Sequence, residues 1–156
     1  MKSFIRLTDF KKEELLEIFK IADSIEEYAD FLKGKTVVMF FPASSIRTRV
    51  SFEKGIYLLG GQSIRFDSAT LDKKEDIKDV CGYLENWADA VIVRHKDIRM
   101  LERMANSNAV LNPCPPFYRG EEVSQGVIDS VYFVGYEFKK SLLKVQQAIL
   151  IYCMSH

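Results

Sequence analysis

Three polar clusters in this sequence could recognise an anion. The first is Phe41-Pro42-Ala43-Ser44-Ser45-Ile46-Arg47-Thr48-Arg49, with two hydroxyls before Arg47, one after it, and a second arginine two residues on. Hydroxyls are neutral hydrogen-bond donors, and the planar guanidinium fork binds two oxygens of a phosphate at once. The second cluster is the polar run Asp67-Ser68-Ala69-Thr70-Leu71-Asp72-Lys73-Lys74, and the third is Arg94-His95. The chemistry they suit is binding of a phosphate or another oxyanion. The plainer alternative is a surface turn with solvated arginines and a strand end that simply reaches water.

These clusters need elements to hold them. Thr36-Val37-Val38-Met39-Phe40 reads as a buried strand, and an amphipathic helix follows over 48–59, with Phe52, Ile56 and Leu59 on one face. The arginine loop therefore leaves a strand and opens a helix, where unpartnered backbone N–H groups and the helix dipole favour negative charge. Upstream, Thr8 or Asp9 can cap a helix over 11–24 with Leu15, Ile18, Phe19, Ala22 and Ile25 on one side. Gly34 suits a turn, and Gly60-Gly61 ends the second helix. A short strand is predicted at 63–66, then a helix over 75–87 burying Ile77, Val80, Cys81, Leu84 and Trp87 or Ala88. Ala90-Val91-Ile92-Val93 is a third strand, a helix runs through Ile98, Leu101 and Met104, and 109–111 is a candidate fourth strand. A last helix over 136–153 carries the stripe Phe138, Leu142, Val145, Ile149 and Tyr152. Strands alternating with helices give an α/β fold: three layers, a parallel sheet of about four strands, and helices on both faces. In such sheets ligands collect at the carboxyl ends of the strands, and all three polar clusters fall there.

The chain has 156 residues, enough for one domain, and 47% are apolar. Its 22 basic and 22 acidic residues leave no basic excess for nucleic acid. No apolar run is long enough to cross a membrane, and the start, Met1-Lys2-Ser3-Phe4-Ile5-Arg6, lacks a signal-peptide core. Three unclustered cysteines suggest a reducing cytoplasm. With only His95 and His156 available and no CxxC pair, neither a metal site nor a cofactor is expected.

Ser45-Ile46-Arg47-Thr48-Arg49, continuing through Val50-Ser51-Phe52-Glu53 to Leu59-Gly60-Gly61, resembles the Ser-Thr-Arg-Thr-Arg signature of the aspartate and ornithine carbamoyltransferases. Lys73-Lys74-Glu75-Asp76-Ile77-Lys78-Asp79 is similar to that family's Lys-Gly-Glu-Ser-hydrophobic-x-Asp segment, and Arg94-His95 to its strand-end Arg-His or Arg-Thr. The resemblance covers residues 1–107 as a carbamoyl-phosphate domain. Residues 116–156, with Arg119-Gly120-Glu121-Glu122-Val123 and Gln146-Gln147-Ala148-Ile149-Leu150, resemble the family's extreme C-terminus, whose helix returns to the first domain. The single domain 1–156 so implied lacks the amino-acid-binding domain that the family places between the two parts.

The resemblance implies that Ser45, Ile46, Arg47, Thr48, Arg94 and Lys73 bind carbamoyl phosphate, with Arg47 and Arg94 catalytic. Arg94 would touch both phosphate and carbamoyl oxygen, and Lys73 would serve a neighbouring subunit in a homotrimer. Ile46 stands where the signature has Thr or Gly, Ala43 where Glu or Lys is usual, and Lys74 where Gly is usual. Asn112-Pro113-Cys114-Pro115-Pro116 fits either the family's His-Pro-x-Gln loop or its His-Cys-Leu-Pro loop, without the histidine in both cases. His95, Cys114 and Arg119 are the weaker site candidates. Two functions follow: a carbamoyltransferase component, incomplete alone, with ornithine slightly favoured over aspartate; or a shortened, non-catalytic binder of phosphate or carbamoyl phosphate, or an assembly subunit.

Overall fold

The computed structural model describes residues 2–73, 75–105 and 139–156, with side chains of the last segment from 141 onward. Its elements in order are α1 (Lys12–Asp23), β1 (Thr36–Phe41), α2 (Ile46–Leu58), β2 (Gln62–Asp67), α3 (Ile77–Leu84), β3 (Ala90–Val93), α4 (Ile98–Ala105) and α5 (Lys139–Ser155). Single 3-10 turns lie at Leu7–Asp9, Ile25–Tyr28 and Ser68–Asp72.

β1 is the central strand. It pairs in parallel with β2 (Val37 opposite Ser63, Phe40 opposite Phe66) and with β3 (Val37 opposite Ala90, Phe40 opposite Val93). A central parallel strand is covered on both faces, which explains why Val37 to Phe41 form an unbroken buried run rather than an alternating one. Successive side chains point to opposite faces. Val37, Met39, Phe41, Ala90 and Ile92 meet α1, α2 and α5 on one side, through Ile18, Ile21, Phe52, Ile56 and Ile151. Val38, Phe40, Val91 and Val93 meet α3 and α4 on the other, through Ile77, Cys81, Leu101 and Met104. The expected three layers and parallel sheet are thus present, with three strands among the described residues; the candidate strand 109–111 lies outside them.

The helices differ in detail from the periodicity reading. Asp9 does not cap α1: its carboxylate accepts from the Arg6 N–H at 3.0 Å in the preceding turn, and Glu14 reaches back to the Lys11 N–H at 2.7 Å instead. Phe19 is exposed and Ile21 takes a core place, while beyond α3 Trp87 is exposed and Ala88 is the one that packs on the core. The buried side of α5 is wider than the predicted stripe, of which Tyr152, Val145 and Ile149 pack on the core, Leu142 does not, and Phe138 lies outside the described residues. Gln146, Gln147, Ala148, Leu150, Ile151, Tyr152 and Cys153 are buried, Val145 and Ile149 are half-buried, and Leu142 is exposed. The reason is that α5 packs against both α1 and α2, so two sides are covered and even glutamines are enclosed.

α2 ends in a left-handed cap. Gly60 has φ +81°, its N–H donates to Tyr57 O at 3.0 Å, and the Gly61 N–H donates to Ile56 O at 3.0 Å. These two bonds satisfy the last carbonyls and turn the chain directly into β2.

Candidate functional site

The strand order β2-β1-β3 means that the chain leaves β1 in one direction and later crosses back past it. α2 lies on one face and α3 on the other. The carboxyl ends of β1 and β3 therefore flank the point where the connections diverge, and a crevice forms at such a switch point.

Ser45 and Arg94 meet there. Ser45 occupies the position before the first turn of α2, yet its hydroxyl makes no capping bond to that helix. It is 3% exposed and instead accepts a hydrogen bond from Arg94 Nη1. Arg94 is half-buried, and its own N–H extends the β1–β3 ladder by donating to Phe40 O at 2.9 Å. One guanidinium N–H is engaged with Ser45. Arginine has five such donors, and a planar group can present others to an anion. The turn before α2 is tied by Ser45 N–H to Pro42 O and Ile46 N–H to Ser44 O, both 2.9 Å. Arg47 and Thr48 lie in the first helical turn, the electropositive end of α2. Arg47 is exposed and Thr48 half-buried, while Ile46 is 63% exposed, with its side chain in solvent.

The second arginine of the motif goes elsewhere. Arg49 Nε lies 3.7 Å from Glu53 Oε1, and Arg65 Nη1 lies 2.9 Å from Glu53 Oε2. Together with Met39, Phe41, Ala43, Phe66 and Asp67, these arginines line a concavity of about 220 Å³ at the ends of β1 and β2. The motif thus splits: Ser45 faces β3 and Arg49 faces β2.

Lys73 is exposed, directly after the 3-10 turn Ser68–Asp72. His95 is joined to that turn: its Nε2 lies 3.1 Å from Asp72 Oδ1, and its Nδ1 accepts the Asp97 N–H at 3.1 Å. Since Nδ1 accepts, Nε2 of the neutral ring carries the proton and donates to Asp72. Lys96 Nζ sits 3.3 Å from the other Asp72 oxygen. That ammonium first, and then His95, hold the Asp72 carboxyl below its ordinary range. Asp72, Lys96 and Asp97 were not legible as partners in the sequence; the only signal is the presence of acids in polar loops. Cys114, Arg119 and Lys74 lie outside the described residues. Among the described residues, no cluster of three or more potential metal ligands occurs, and no helix is long and apolar enough to cross a membrane.

The fold and site define an open parallel α/β domain with an arginine at its switch point, where sheets of this class carry their ligands. Residues 2–115 match the family model described as aspartate/ornithine carbamoyltransferase, carbamoyl-P binding domain, and the chain belongs to that family. It is 42% identical over 102 residues to an ornithine carbamoyltransferase of Campylobacter hominis, a match covering 60% of this chain and 33% of that protein. The crystal structure of an anabolic ornithine carbamoyltransferase from Campylobacter jejuni superposes with TM-score 0.65 at 33% identity, over 72% of this chain and 38% of that one. A Burkholderia thailandensis ornithine carbamoyltransferase structure shares the fold at TM-score 0.79 and 16% identity, covering 99% of both chains. The matched region spans about a third of the C. hominis relative.

Proposed function

We propose that this chain binds the phosphate of carbamoyl phosphate at the β1–β3 switch point and serves carbamoyl transfer to an amino acid, ornithine favoured over aspartate. The observation that carries the reading is the Arg94–Ser45 hydrogen bond, which brings two separate parts of the sequence pattern to the mouth of α2. Ser45, Arg47, Thr48 and the first-turn amides beyond Ile46, whose own N–H is bonded to Ser44 O, would hold phosphate. Arg47 and Arg94 would be the catalytic residues. Attack of an amine on the carbamoyl carbon places charge on the carbonyl oxygen while phosphate departs, and a guanidinium at Arg94 suits both demands. No covalent intermediate is needed if both substrates are held in line. Lys73, exposed on its turn, is positioned at the surface, as a residue lent to a neighbouring subunit must be. A homotrimer is the assembly expected, and light scattering of the purified chain at three times 18.0 kDa is its check.

Phosphate and carbamoyl phosphate should raise the melting temperature. At a hundredfold excess over Kd the stabilisation is about 2.7 kcal/mol. Arg47→Ala should remove the shift, and no shift at millimolar ligand refutes the reading.

The second reading is a binder or assembly subunit without turnover. It is favoured by Ile46, 63% exposed where the family signature has Thr or Gly, and by the extent of the match, which is to the carbamoyl-P binding domain. Citrulline and carbamoyl-aspartate formation by the purified chain separates the two. Binding without product is the outcome expected of this chain alone, since an amine must also be positioned opposite the carbonyl.

A further inference from the structure

We propose that His95 is a positioning residue that fastens the Lys73 loop to the end of β3, and so fixes where Lys73 is presented to a neighbouring subunit's anion site. This rests on the oxyanion reading above. Arg94 and His95 are consecutive, and their side chains diverge. Arg94 turns to Ser45, whereas His95 turns to Asp72, the last residue of the 3-10 turn that delivers Lys73. The His95 side chain is only 3% exposed, against 43% for Asp72. An imidazole so enclosed must satisfy both nitrogens, and it does: Asp97 N–H supplies Nδ1 and Asp72 accepts from Nε2. Each end of the ring has a separate task. The Nδ1 bond closes the His95–Asp97 turn on its own segment, and only the Nε2 bond crosses 23 residues of sequence to the lysine loop. Asp72 is also gripped by Lys96 at 3.3 Å, from the same segment as His95, so the loop is held by two donors on one side. The plain alternative is that His95 merely fills a gap beneath the turn.

The two nitrogens allow a test that separates these roles. In His95→Gln the side-chain amide can reproduce the Nε2 donor, and in His95→Asn the side-chain oxygen can reproduce the Nδ1 acceptor. Backbone hydrogen exchange of the Ser68–Asp72 turn is measured on the ligand-free chain. His95→Asn and His95→Ala should speed exchange there by about tenfold. His95→Gln should restore it, and Asp72→Ala, which removes the acceptor, should erase the difference between the Gln and Asn variants. Equal exchange in the Gln and Asn variants, or rescue by Asn alone, overturns the fastening role. Inorganic phosphate is then titrated into wild type, His95→Asn, Lys73→Ala and the double variant. The double variant should bind no worse than the weaker single one, because both changes remove the same contribution. Additive losses overturn the link to Lys73. Absence of phosphate binding by the wild type overturns the oxyanion reading, a failure read from the titration and not from the exchange data.

Discussion

Glu14 shows how one side chain can join distant parts of this chain. Its carboxylate takes Lys2 and the Tyr152 hydroxyl on Oε1, the latter at 3.0 Å, and the Lys11 N–H on Oε2. The Lys2 bond first, then the backbone bond, hold its pKa at about 2 rather than 4.5. A lowered carboxylate pKa gives stability that is complete above 4.5 and disappears as pH falls from 4.5 to about 2. Tyr152 is pushed up to about 12, by burial first and then by Glu14, so its contribution is present below 10 and fades between 10 and about 12. Thermal melts of wild type and Glu14→Gln across pH should therefore differ most near neutrality and converge by about pH 2. A constant difference down to that pH would show that the junction is not electrostatic. Arg94 makes the second prediction at this scale. Arg94→Lys keeps the charge but loses the planar fork, so it should lose most of the phosphate-induced melting shift. Full retention would mean that only the charge at this position matters.

At the scale of elements, the α2–β2 corner is the tightest joint. A Cβ on Gly61 would lie 2.7 Å from Leu32 Cβ and 3.2 Å from Ile56 Cγ2. Leu32 is fully buried, and its N–H donates to Leu59 O at 2.8 Å, so it cannot retreat without moving backbone. Gly61→Ala should destabilise by about 1–3 kcal/mol, read as a lower urea midpoint at unchanged slope. This joint matters to the site because α2 carries Ser45, Arg47 and Thr48 at its other end. The opposing contact is also close: a Cβ on Gly55 would lie 3.0 Å from Gln147 Cγ, and Gln147 Nε2 donates to Gly55 O at 3.1 Å. α2 is thus clamped between β2 and α5. The sequence pattern identified α2 and its terminal glycines but not this clamp, because a buried glutamine carries no apolar signal. The same limit explains α5, where a single-stripe reading missed a helix covered on two sides.

For the whole molecule, α5 is the lid of one of the two cores. Ala148, Leu150, Ile151, Tyr152 and Cys153 share a cluster with Ile18, Ile21, Phe52 and Ile56 from α1 and α2. Lys144 Nζ pairs with Glu26 at 2.9 Å, and the Lys2 N–H donates to Cys153 O at 2.9 Å. Removing residues 139–156 would expose that cluster. The shortened chain should lose its cooperative melting transition and bind a hydrophobic dye, whereas Ile151→Ala should only lower stability by about 2–5 kcal/mol. A shortened chain that still melts cooperatively would mean that the sheet and α1–α4 suffice.

The sequence alone determined the alternation of strands and helices, the parallel sheet with helices on both faces and its buried β1 and β3, and the clustering of hydroxyls and arginines after β1. These are readable because they rest on local periodicity and on residue types within a few positions. Family membership rests on three motifs in order, now matched over residues 2–115. The tertiary structure decided which motif side chains converge. Ser45 finds Arg94 across 49 residues, His95 finds Asp72 across 23, and Arg49 turns away to Glu53, which it shares with Arg65. The Arg49–Glu53 pair has local i,i+4 helical spacing, but no local pattern encodes the two long-range choices. They are settled by strand order, which brings the ends of β1 and β3 side by side, and by the cost of leaving an enclosed donor or acceptor without a partner.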